Sequence, residues 1–422
     1  MKREMQALMG MLLMAGASGG GMAASLDQEL AAVAADPAMP LASLSVLAVR
    51  GGKVCYQYQT GQRRIGAAAA PANADTMYRI ASVSKMMTTF GVMRLIEQHQ
   101  LELDADVSRY LGYALRNPHF PDQPISLRML LTHTSSLRDE AGYFWGTDVA
   151  IRDQLTGSAA GMWAGDHGPG GYFTYTNLNW GVIGTIMEKV SGERFDRLMK
   201  RLLLEPMGLR GGYNPSEFSP EEIDNVATLY RKRAVDSEVW NPGGPWIAQV
   251  DDYGVRPPVA PAGLAGYVAG SNGTLFSPTG GLRISAADLG KIMQMLTNHG
   301  RYQDRQILQP ESVALMFRQQ WKHNGSNGDT YRGLYHSWGL GSQRFDDQRL
   351  VEGGGFSAVG HLGEAYGLIS TFVVDLQRGN GMVSLIGGTG ADPDSNPGRY
   401  SAMTRSEERI LTALYRHAIL GR

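Results

Sequence analysis

Strand-like segments lie near both ends of the chain, and the long stretch between them is mostly helical. The strand-like segments are residues 44–49, 53–60, 367–375 and 381–386, and the clearest helical ones are 26–35, 81–101, 180–190, 286–296 and 401–420. Because strands from the two ends bury their apolar faces best by pairing with each other, the sequence predicts one antiparallel sheet flanked by helices, an α/β fold of the α+β type. We expect a sheet lobe from about residues 25–75 and 340–422, and a mostly helical lobe from about 76–339.

The first two dozen residues have the layout of a secretory signal peptide. A positive start at Lys2 and Arg3 is followed by a mostly apolar stretch, residues 5–17, and then by small residues up to Ala24. The sequence therefore predicts a signal peptide over residues 1–24 and a secreted or periplasmic mature domain. The alternative is a frayed hydrophobic N-terminus of a cytoplasmic protein. No later apolar run is long enough for a transmembrane helix.

Composition and charge argue against a nucleic-acid-binding protein. The 422 residues include 39 basic and 40 acidic side chains, a net charge of −1, with no basic stripe that would bind nucleic acid. Hydrophobic residues make up 43% of the chain, which is enough for a substantial core. The single cysteine, Cys55, lies in an alternating strand-like run, which favours a packed side chain over a nucleophile. No cluster of side chains has the spacing of metal ligands, so we expect no metal and no cofactor.

Ser82 and Lys85 form the strongest candidate for a catalytic pair. Ser82 opens the long apolar helix, and Lys85 lies three residues later on the same face. A serine hydroxyl needs a neighbouring base, and a lysine buried among apolar side chains has a lowered pKa that suits it to this task. Free N–H groups at the helix N-terminus would also stabilise a developing oxyanion. A Gly-x-Ser-x-Gly pattern at residues 16–20 has no strand before it and falls within the predicted signal peptide, so it is not a rival nucleophile.

The Ser-x-x-Lys pattern is weak by itself, because serines that cap helices are often followed by lysine. Two observations favour catalysis. No other serine in the chain has a lysine three positions on, and Lys85 is followed by Met86, Met87 and then Phe90. Apolar neighbours of this kind are unusual for a solvated lysine.

Tyr175 and Asn177 form a second candidate element, just before the helix that starts near residue 180. A tyrosine there can relay a proton between nucleophile and leaving group, and an asparagine can donate to a substrate amide carbonyl. The alternative is an ordinary turn with an asparagine cap, although no other tyrosine in the chain is followed two residues later by asparagine.

His361 and Gly363 form a third element, at the start of a predicted edge strand. A cation or donor at His361 would hold a substrate carboxylate, and Gly363 would let the substrate backbone lie against the strand. The alternative is a purely structural histidine. A second His-x-Gly sequence at residues 323–325 lies in a polar stretch that is typical of a surface turn.

In this order the three elements resemble the signature of the serine β-lactamase and penicillin-binding-protein superfamily. The likeness is strongest to its branch of class C β-lactamases, D-alanyl-D-alanine carboxypeptidases and family VIII esterases. Residues 130–137, Leu-Leu-Thr-His-Thr-Ser-Ser-Leu, and residues 285–289, Ser-Ala-Ala-Asp-Leu, also resemble segments of that branch. The resemblance implies an antiparallel sheet flanked by helices, an all-helical lobe, and a site between the two.

The resemblance also implies a role for each candidate residue. The catalytic roles fall to Ser82 as nucleophile, Lys85 as general base and Tyr175 as proton shuttle, and the substrate-binding roles to Asn177, His361, Gly363 and Glu364. Glu364 would act through its backbone N–H, which would complete an oxyanion hole together with the N–H of Ser82. Whether Lys85 or Tyr175 takes the first proton stays open.

The third motif departs from the family pattern. β-Lactamases of this branch have Lys-Thr-Gly there, whereas this chain has His-Leu-Gly at residues 361–363. Histidine titrates at about pH 6.5, so its charge at neutral pH is partial. Leu362 lacks a hydroxyl that could bind a substrate carboxylate. The sequence therefore favours a peptidase or esterase over an efficient β-lactamase. The expected substrates are small molecules or peptides: acyl-D-amino acid peptides, peptidoglycan-derived ones among them, esters or β-lactams.

Two other functions remain open at this point. A conventional Ser-His-Asp hydrolase would use His361 or His133 as base, but the chain offers no elbow serine outside the predicted signal peptide. A weakly catalytic or non-catalytic penicillin-binding sensor or scaffold would keep the fold and lose turnover, and the unusual third motif is compatible with it. The irregular segment 240–273 is predicted to shape the acyl pocket.

Overall fold

The computed structural model describes residues 17–157, 161–235, 237–346 and 350–422. Its strands, numbered in chain order, are β1 Ser43–Arg50, β2 Lys53–Arg64, β3 Ala70–Pro71, β4 Met77–Arg79, β5 Leu229–Lys232, β6 Trp246–Val250, β7 Arg283–Ser285, β8 Arg301–Tyr302, β9 Arg305–Gln306, β10 Trp321–Lys322, β11 Ser337–Trp338, β12 Gln343–Phe345, β13 Ala358–Ala365, β14 Leu368–Asp375, β15 Asn380–Ile386 and β16 Gly388–Thr389. Its helices are α1 Ala17–Ala34, α2 Val83–Glu97, α3 Ser108–Leu111, α4 Leu127–Leu131, α5 Ile151–Thr156, α6 Leu178–Ser191, α7 Phe195–Met199, α8 Pro220–Asn225, α9 Ala286–Thr297, α10 Pro310–Phe317 and α11 Arg405–Ala413. Short π-helical turns, Lys200–Leu204 and Leu414–Ile419, continue α7 and α11.

The main sheet is built from both ends of the chain, as predicted. In the described part of the chain it has nine strands in the order β10-β11-β12-β13-β14-β15-β1-β2-β3, all antiparallel. The pairing of β1 with β15 joins the N-terminal and C-terminal parts. The β1–β2 hairpin turns at Gly51 and Gly52, whose φ angles of 56° and 76° lie in the left-handed region that favours glycine. The predicted α+β class is confirmed.

Helices cover both faces of this sheet. Along β1, Val46 points to an outer apolar layer formed with α1 and α11, whereas the next residue, Leu47, points to the inner layer with α2 and α9. This alternation is the side-chain periodicity of a strand, so a strand with both faces covered is apolar throughout. The inner layer is continuous with the helical part of the molecule, which includes α3, α4 and α6.

The charged and most of the apolar residues of the predicted signal peptide, residues 1–16, lie outside the described residues. Helix α1 runs through the predicted cleavage point near Ala24, and Leu26 and Leu30 on it are buried in the outer layer. Export therefore stays a prediction. In the described ranges, no helix combines the length and apolar character that crossing a membrane requires.

Two predicted helices are shorter than expected, for local reasons. The segment predicted as a helix over 81–101 is helical only over α2, because Ala81 before it and His99 after it have φ angles of 44° and 57°, which turn the backbone away from helical geometry. The last helix begins at Arg405 and not at residue 401. Thr404 caps it, accepting from the Glu407 N–H while the Glu407 carboxylate accepts from the Thr404 N–H.

The strand that carries the third motif is an edge only in part. β13 lies inside the strand order and pairs with β14 along nearly its whole length, but β12 covers only Ala358–Gly360. From His361 onward, no other described strand pairs with the opposite side of β13. This locally open edge borders a cleft.

Candidate active site

A cleft of about 1380 Å³ lies between the open edge of β13 and the helical part of the molecule. All three sequence elements reach it: Ser82 from the first, Tyr175 and Asn177 from the second, and Leu362 to Glu364 from the third. Val259 and Pro261, from the predicted pocket-shaping segment 240–273, also line it. The structure therefore brings together residues that are nearly 300 positions apart in the sequence.

A strained turn presents Ser82 at the N-terminus of α2. Ala81, with its φ of 44°, is a non-glycine residue in the left-handed region, a conformation that persists only when its surroundings enforce it. The enforcing contacts come from the sheet, since the buried Ser370 hydroxyl on β14 donates to the Ile80 carbonyl oxygen at 2.8 Å. The turn also packs directly on Gly363, where a Cβ would lie 2.8 Å from Ser82 N. A side chain at residue 363 would therefore collide with this turn, which is a structural reason for a glycine there. The approach of a substrate backbone to Gly363 stays a prediction.

Lys85 is fully buried and points at the serine. Its Nζ donates to Ser82 Oγ at 2.9 Å, to Asn177 Oδ1 at 2.8 Å and to the Thr279 carbonyl oxygen at 3.1 Å. Burial lowers the pKa of the Lys85 ammonium from 10.5 to about 7, against a smaller raising effect of the Asp139 carboxylate. A lysine with this pKa is about half neutral near pH 7. The neutral amine has only two N–H groups for these three oxygens, so its lone pair can accept the proton of the Ser82 hydroxyl.

Asn177 orients this lysine and is itself held by Asp139. The Asp139 carboxylate accepts from Asn177 Nδ2 at 2.9 Å and from the backbone N–H groups of Asn177 and Leu178 at the start of α6. The amide oxygen therefore faces Lys85 and the Thr279 hydroxyl, which donates to it at 2.7 Å. One amide N–H of Asn177 is left for a substrate, the role predicted from the sequence.

Tyr175 is held in an aromatic sandwich beside the serine. His133 stacks on the ring with centroids 4.4 Å apart, and Tyr335 stacks with centroids 5.2 Å apart and planes inclined by 9°. Burial raises the pKa of the Tyr175 phenol well above 10, with a further raising effect of Tyr335, while a hydrogen bond with Ser82 opposes the shift. The phenol is therefore neutral at physiological pH, so the two candidate bases differ sharply, and Lys85 is the one that titrates near neutrality.

His133 is a support for this loop. Its Nδ1 accepts from the Thr176 N–H at 2.9 Å, and its carbonyl oxygen accepts from the Thr174 N–H at 3.0 Å. Burial keeps the pKa of the imidazole well below 6.5, so the ring is neutral. Neither this ring nor that of His361 has a hydrogen bond with Ser82 in the described structure, which removes the geometric basis for a Ser-His-Asp arrangement.

His361 does not supply the cation predicted at the third motif. The side chain is only 2% exposed, its ring packs edge-on against Trp338, and Nδ1 donates to the Leu362 carbonyl oxygen at 2.5 Å. Burial, with the nearby Lys85 charge, lowers the pKa of the imidazole to about 3. A neutral ring behind the cleft wall cannot hold a substrate carboxylate by its charge. The prediction of a partial positive charge there was wrong because it took the pKa of a solvated histidine.

Glu364, the residue after Gly363, lies on the open part of β13 and lines the cleft. Its backbone N–H as an oxyanion donor remains a prediction. Three further residues of the site were not identified from the sequence: Asp139, Thr279 and Tyr335. Asp139 follows the segment 130–137 by two positions, which is the one signal that could have found it.

Comparisons with known proteins agree with this fold. The protein-family model described as Beta-lactamase matches residues 31–403. Penicillin-binding protein 4* of Bacillus subtilis (strain 168) is 30% identical over 198 residues, which cover 44% of this chain and 41% of that protein. The D-alanyl-D-alanine-carboxypeptidase/endopeptidase AmpH of Escherichia coli (strain K12) is 30% identical over 165 residues, covering 37% and 41%. The chain thus spans about two fifths of the length of these curated relatives.

A similar architecture is found among solved structures. The octameric penicillin-binding protein homologue from Pyrococcus abyssi matches with a TM-score of 0.65 and 23% identity, covering 96% of this chain and 77% of that one. At this level of identity the likeness shows a shared fold. It extends the match well beyond the aligned segments of the curated relatives.

Proposed function

The chain belongs to the beta-lactamase family, and from that premise we propose that it is a serine hydrolase that forms an acyl-enzyme on Ser82. The observation that carries the proposal is the contact of 2.9 Å between Ser82 Oγ and a buried lysine amine whose pKa is about 7. A hydroxyl at a helix N-terminus, beside a base that is partly neutral at working pH, is the arrangement that nucleophilic catalysis by serine requires.

In the proposed reaction, the neutral Lys85 amine accepts the Ser82 proton as Oγ attacks the substrate carbonyl carbon. Backbone N–H groups of Ser82 and Glu364 donate to the oxygen of the tetrahedral intermediate. Tyr175 passes the proton from Lys85 to the leaving group as the C–N or C–O bond breaks, which yields the acyl-enzyme. Water then attacks the acyl ester, with the same groups moving its proton, and Ser82 is regenerated.

The proposed substrates are acyl-D-amino acid peptides, including peptidoglycan-derived ones, esters and β-lactams. The name of the E. coli relative, a D-alanyl-D-alanine carboxypeptidase and endopeptidase, supports the peptide class. The uncharged third motif supports esters and peptides over efficient turnover of β-lactams. We also propose that the protein is secreted or periplasmic, which rests on the predicted signal peptide alone.

Purified protein offered a short-chain nitrophenyl ester and, separately, a chromogenic cephalosporin tests the proposal. We expect multiple turnovers of the ester, and an adduct of the acyl mass on the protein when the reaction is quenched early, since acylation and deacylation both use the same site. Stoichiometric labelling without turnover of either compound would instead favour the sensor or scaffold and would contradict the enzyme.

We expect Gly363→Ala to lower kcat/KM for the ester by about 10²-fold, the scale of losing one oxyanion donor. The added Cβ would lie 2.8 Å from Ser82 N and 2.9 Å from the Ile80 carbonyl oxygen, so the turn that presents the nucleophile must move. Steady-state kinetics check the first effect. Urea unfolding checks the second, an overpacking cost of about 1–3 kcal/mol.

Gly266→Ala is the matched control, because a Cβ there meets no atom within 4 Å and the backbone is not in the left-handed region. Its activity and stability should stay close to those of the wild type. Activity of Gly363→Ala within threefold of that control would show that the contact with the nucleophile's turn does not matter for catalysis.

A further inference from the structure

Among the described residues, four arginines line the cleft, and three of them are committed to carboxylates. Arg283 binds Asp251 through two hydrogen bonds of 2.7 and 3.0 Å and is almost fully buried. Arg332 pairs with Asp394 at 3.3 Å, and Arg231 lies 3.7 Å from Glu238. The fourth, Arg79, lies on β4 three residues before Ser82.

Arg79 has no carboxylate partner within ion-pair distance in the described part of the chain. Its Nε donates to the Gly280 carbonyl oxygen at 3.1 Å, and its guanidinium carbon lies 5.3 Å from the centre of the Tyr366 ring. Tyr366 is 41% exposed at the cleft rim, so the guanidinium is covered on that side by an aromatic face. A guanidinium has five N–H donors in a planar fork, and the hydrogen bond to Gly280 uses one of them.

The position of this guanidinium is set relative to the nucleophile. Gly280, which accepts from Arg79, directly follows Thr279, whose carbonyl oxygen accepts from Lys85. Neighbouring Cα atoms are about 3.8 Å apart, so the Arg79 guanidinium and the Lys85 amine are anchored to adjacent peptide groups. Arg79 and Ser82 therefore border the same part of the cleft.

Electrostatics around Arg79 favour an incoming anion. Burial lowers the pKa of its guanidinium, and the Arg283 charge lowers it further, while Asp251 acts in the opposite direction but is already bound by Arg283. A partly buried cation with a like charge beside it is stabilised when a carboxylate binds in its fork. The third motif offers no competing cation, because His361 is neutral.

We propose that Arg79 binds a carboxylate of the substrate and so makes the enzyme selective for acyl compounds that carry one near the scissile bond. This inference rests on the proposed hydrolase function and names its substrate class. Free carboxylates of D-amino acid peptides and of small acidic esters share the required chemistry.

Three esters test the proposal: 4-nitrophenyl butyrate, 3-carboxy-4-nitrophenyl butyrate with the carboxylate on the leaving group, and the mono-4-nitrophenyl ester of glutaric acid with the carboxylate on the acyl group. The readout is kcat/KM for each carboxylated ester divided by that for the neutral ester. In Arg79→Met this ratio should fall about 10- to 100-fold for at least one carboxylated ester, the range expected when a charged hydrogen bond is lost. Arg79→Lys, which keeps the charge without the fork, should recover part of it.

Arg332→Met is the matched control, since Arg332 lines the same cleft but is already paired with Asp394 and its side chain is 65% exposed. Its ratios should stay within threefold of the wild type. Ratios in Arg79→Met that match this control for both carboxylated esters would overturn the proposal. A loss of activity that is equal for all three esters would also overturn it, because that is what a purely structural role predicts.

A binding measurement keeps the inference testable if Arg79→Met does not fold or if no ester is turned over. Ligand-observed NMR on the wild type should show N-acetyl-D-alanine binding at least tenfold more tightly than N-acetyl-D-alaninamide. Equal binding of the acid and the amide would overturn the role of Arg79. Selective binding of the acid without turnover of any ester would refute the proposed function and leave the carboxylate site standing.

Discussion

Replacing Ser82 by alanine is expected to reduce kcat for a nitrophenyl ester by about 10⁴-fold or more, the scale of deleting a nucleophile from a coupled catalytic unit. Without Oγ there is no atom to carry the acyl group, so the early-quench mass adduct should disappear as well. Because the Ser82 side chain caps no N–H group of α2, the variant should fold normally. Kinetics, intact mass and circular dichroism measure the three parts.

Ser84→Ala is the informative control for this variant. Ser84 is the other serine of the motif, but it is fully buried whereas Ser82 is half-buried, and its Oγ accepts from the Leu282 N–H at 3.2 Å. Its loss should cost about 1 kcal/mol of stability and leave turnover within a few fold of the wild type. The nucleophile would have to be sought elsewhere if Ser82→Ala retained more than a tenth of the activity, or if Ser84→Ala were the inactive variant.

The pair of Ser82 and Lys85 was predictable from physical reasoning because it is local. Three residues on a helix bring two side chains to one face, and the apolar sequence that follows predicts the burial that lowers the lysine pKa. The convergence of Tyr175 on the same point is different, because no periodicity relates positions 82 and 175. It came from the order of three motifs and the family resemblance.

The parts that escaped prediction depend on contacts with no sequence signature. The third acceptor of Lys85 is the backbone carbonyl oxygen of Thr279, which any residue could supply. The charge of His361 depends on packing against Trp338, a residue from another strand. Arg79 is recognisable as a cation without a carboxylate partner among the described residues only once the partners of the other three cleft arginines are known.

The fold, like the site, was predictable from the sequence only in part. Strands from both ends of the chain implied one antiparallel sheet, since apolar strands need partners and the segment between them is helical. The strand order was not accessible, so the short strands β10 to β12 were not foreseen, of which β12 pairs with Ala358–Gly360 of β13. Their extent leaves the edge open from His361 onward, which makes room for the cleft.

Replacing Lys85 by methionine is expected to lower kcat/KM by about 10³-fold, within the usual range for a general base. In the wild type, kcat/KM for a neutral ester should rise as pH increases through about 7, because the amine must lose its proton before it can accept one from Ser82. The residual activity of the variant should not follow this titration. A wild-type rate that falls over the same interval would contradict the assignment of Lys85 as the base.

The same substitution should change how the free energy of unfolding depends on pH. The folded-state pKa of Lys85 is about 7 and its ordinary value is 10.5, so between these two pH values the unfolded chain binds a proton that the folded protein does not. The free energy of unfolding of the wild type therefore gains up to about 1.4 kcal/mol per pH unit from this group across that window, and nothing below pH 7.

Urea unfolding at pH 6, 8 and 10 should show Lys85→Met losing stability relative to the wild type as pH rises. Lys53→Met, a control at an exposed lysine of β2, should follow the wild type at each pH. Parallel curves for Lys85→Met and the wild type would mean that the amine keeps an ordinary pKa, and an amine protonated at neutral pH could not deprotonate Ser82.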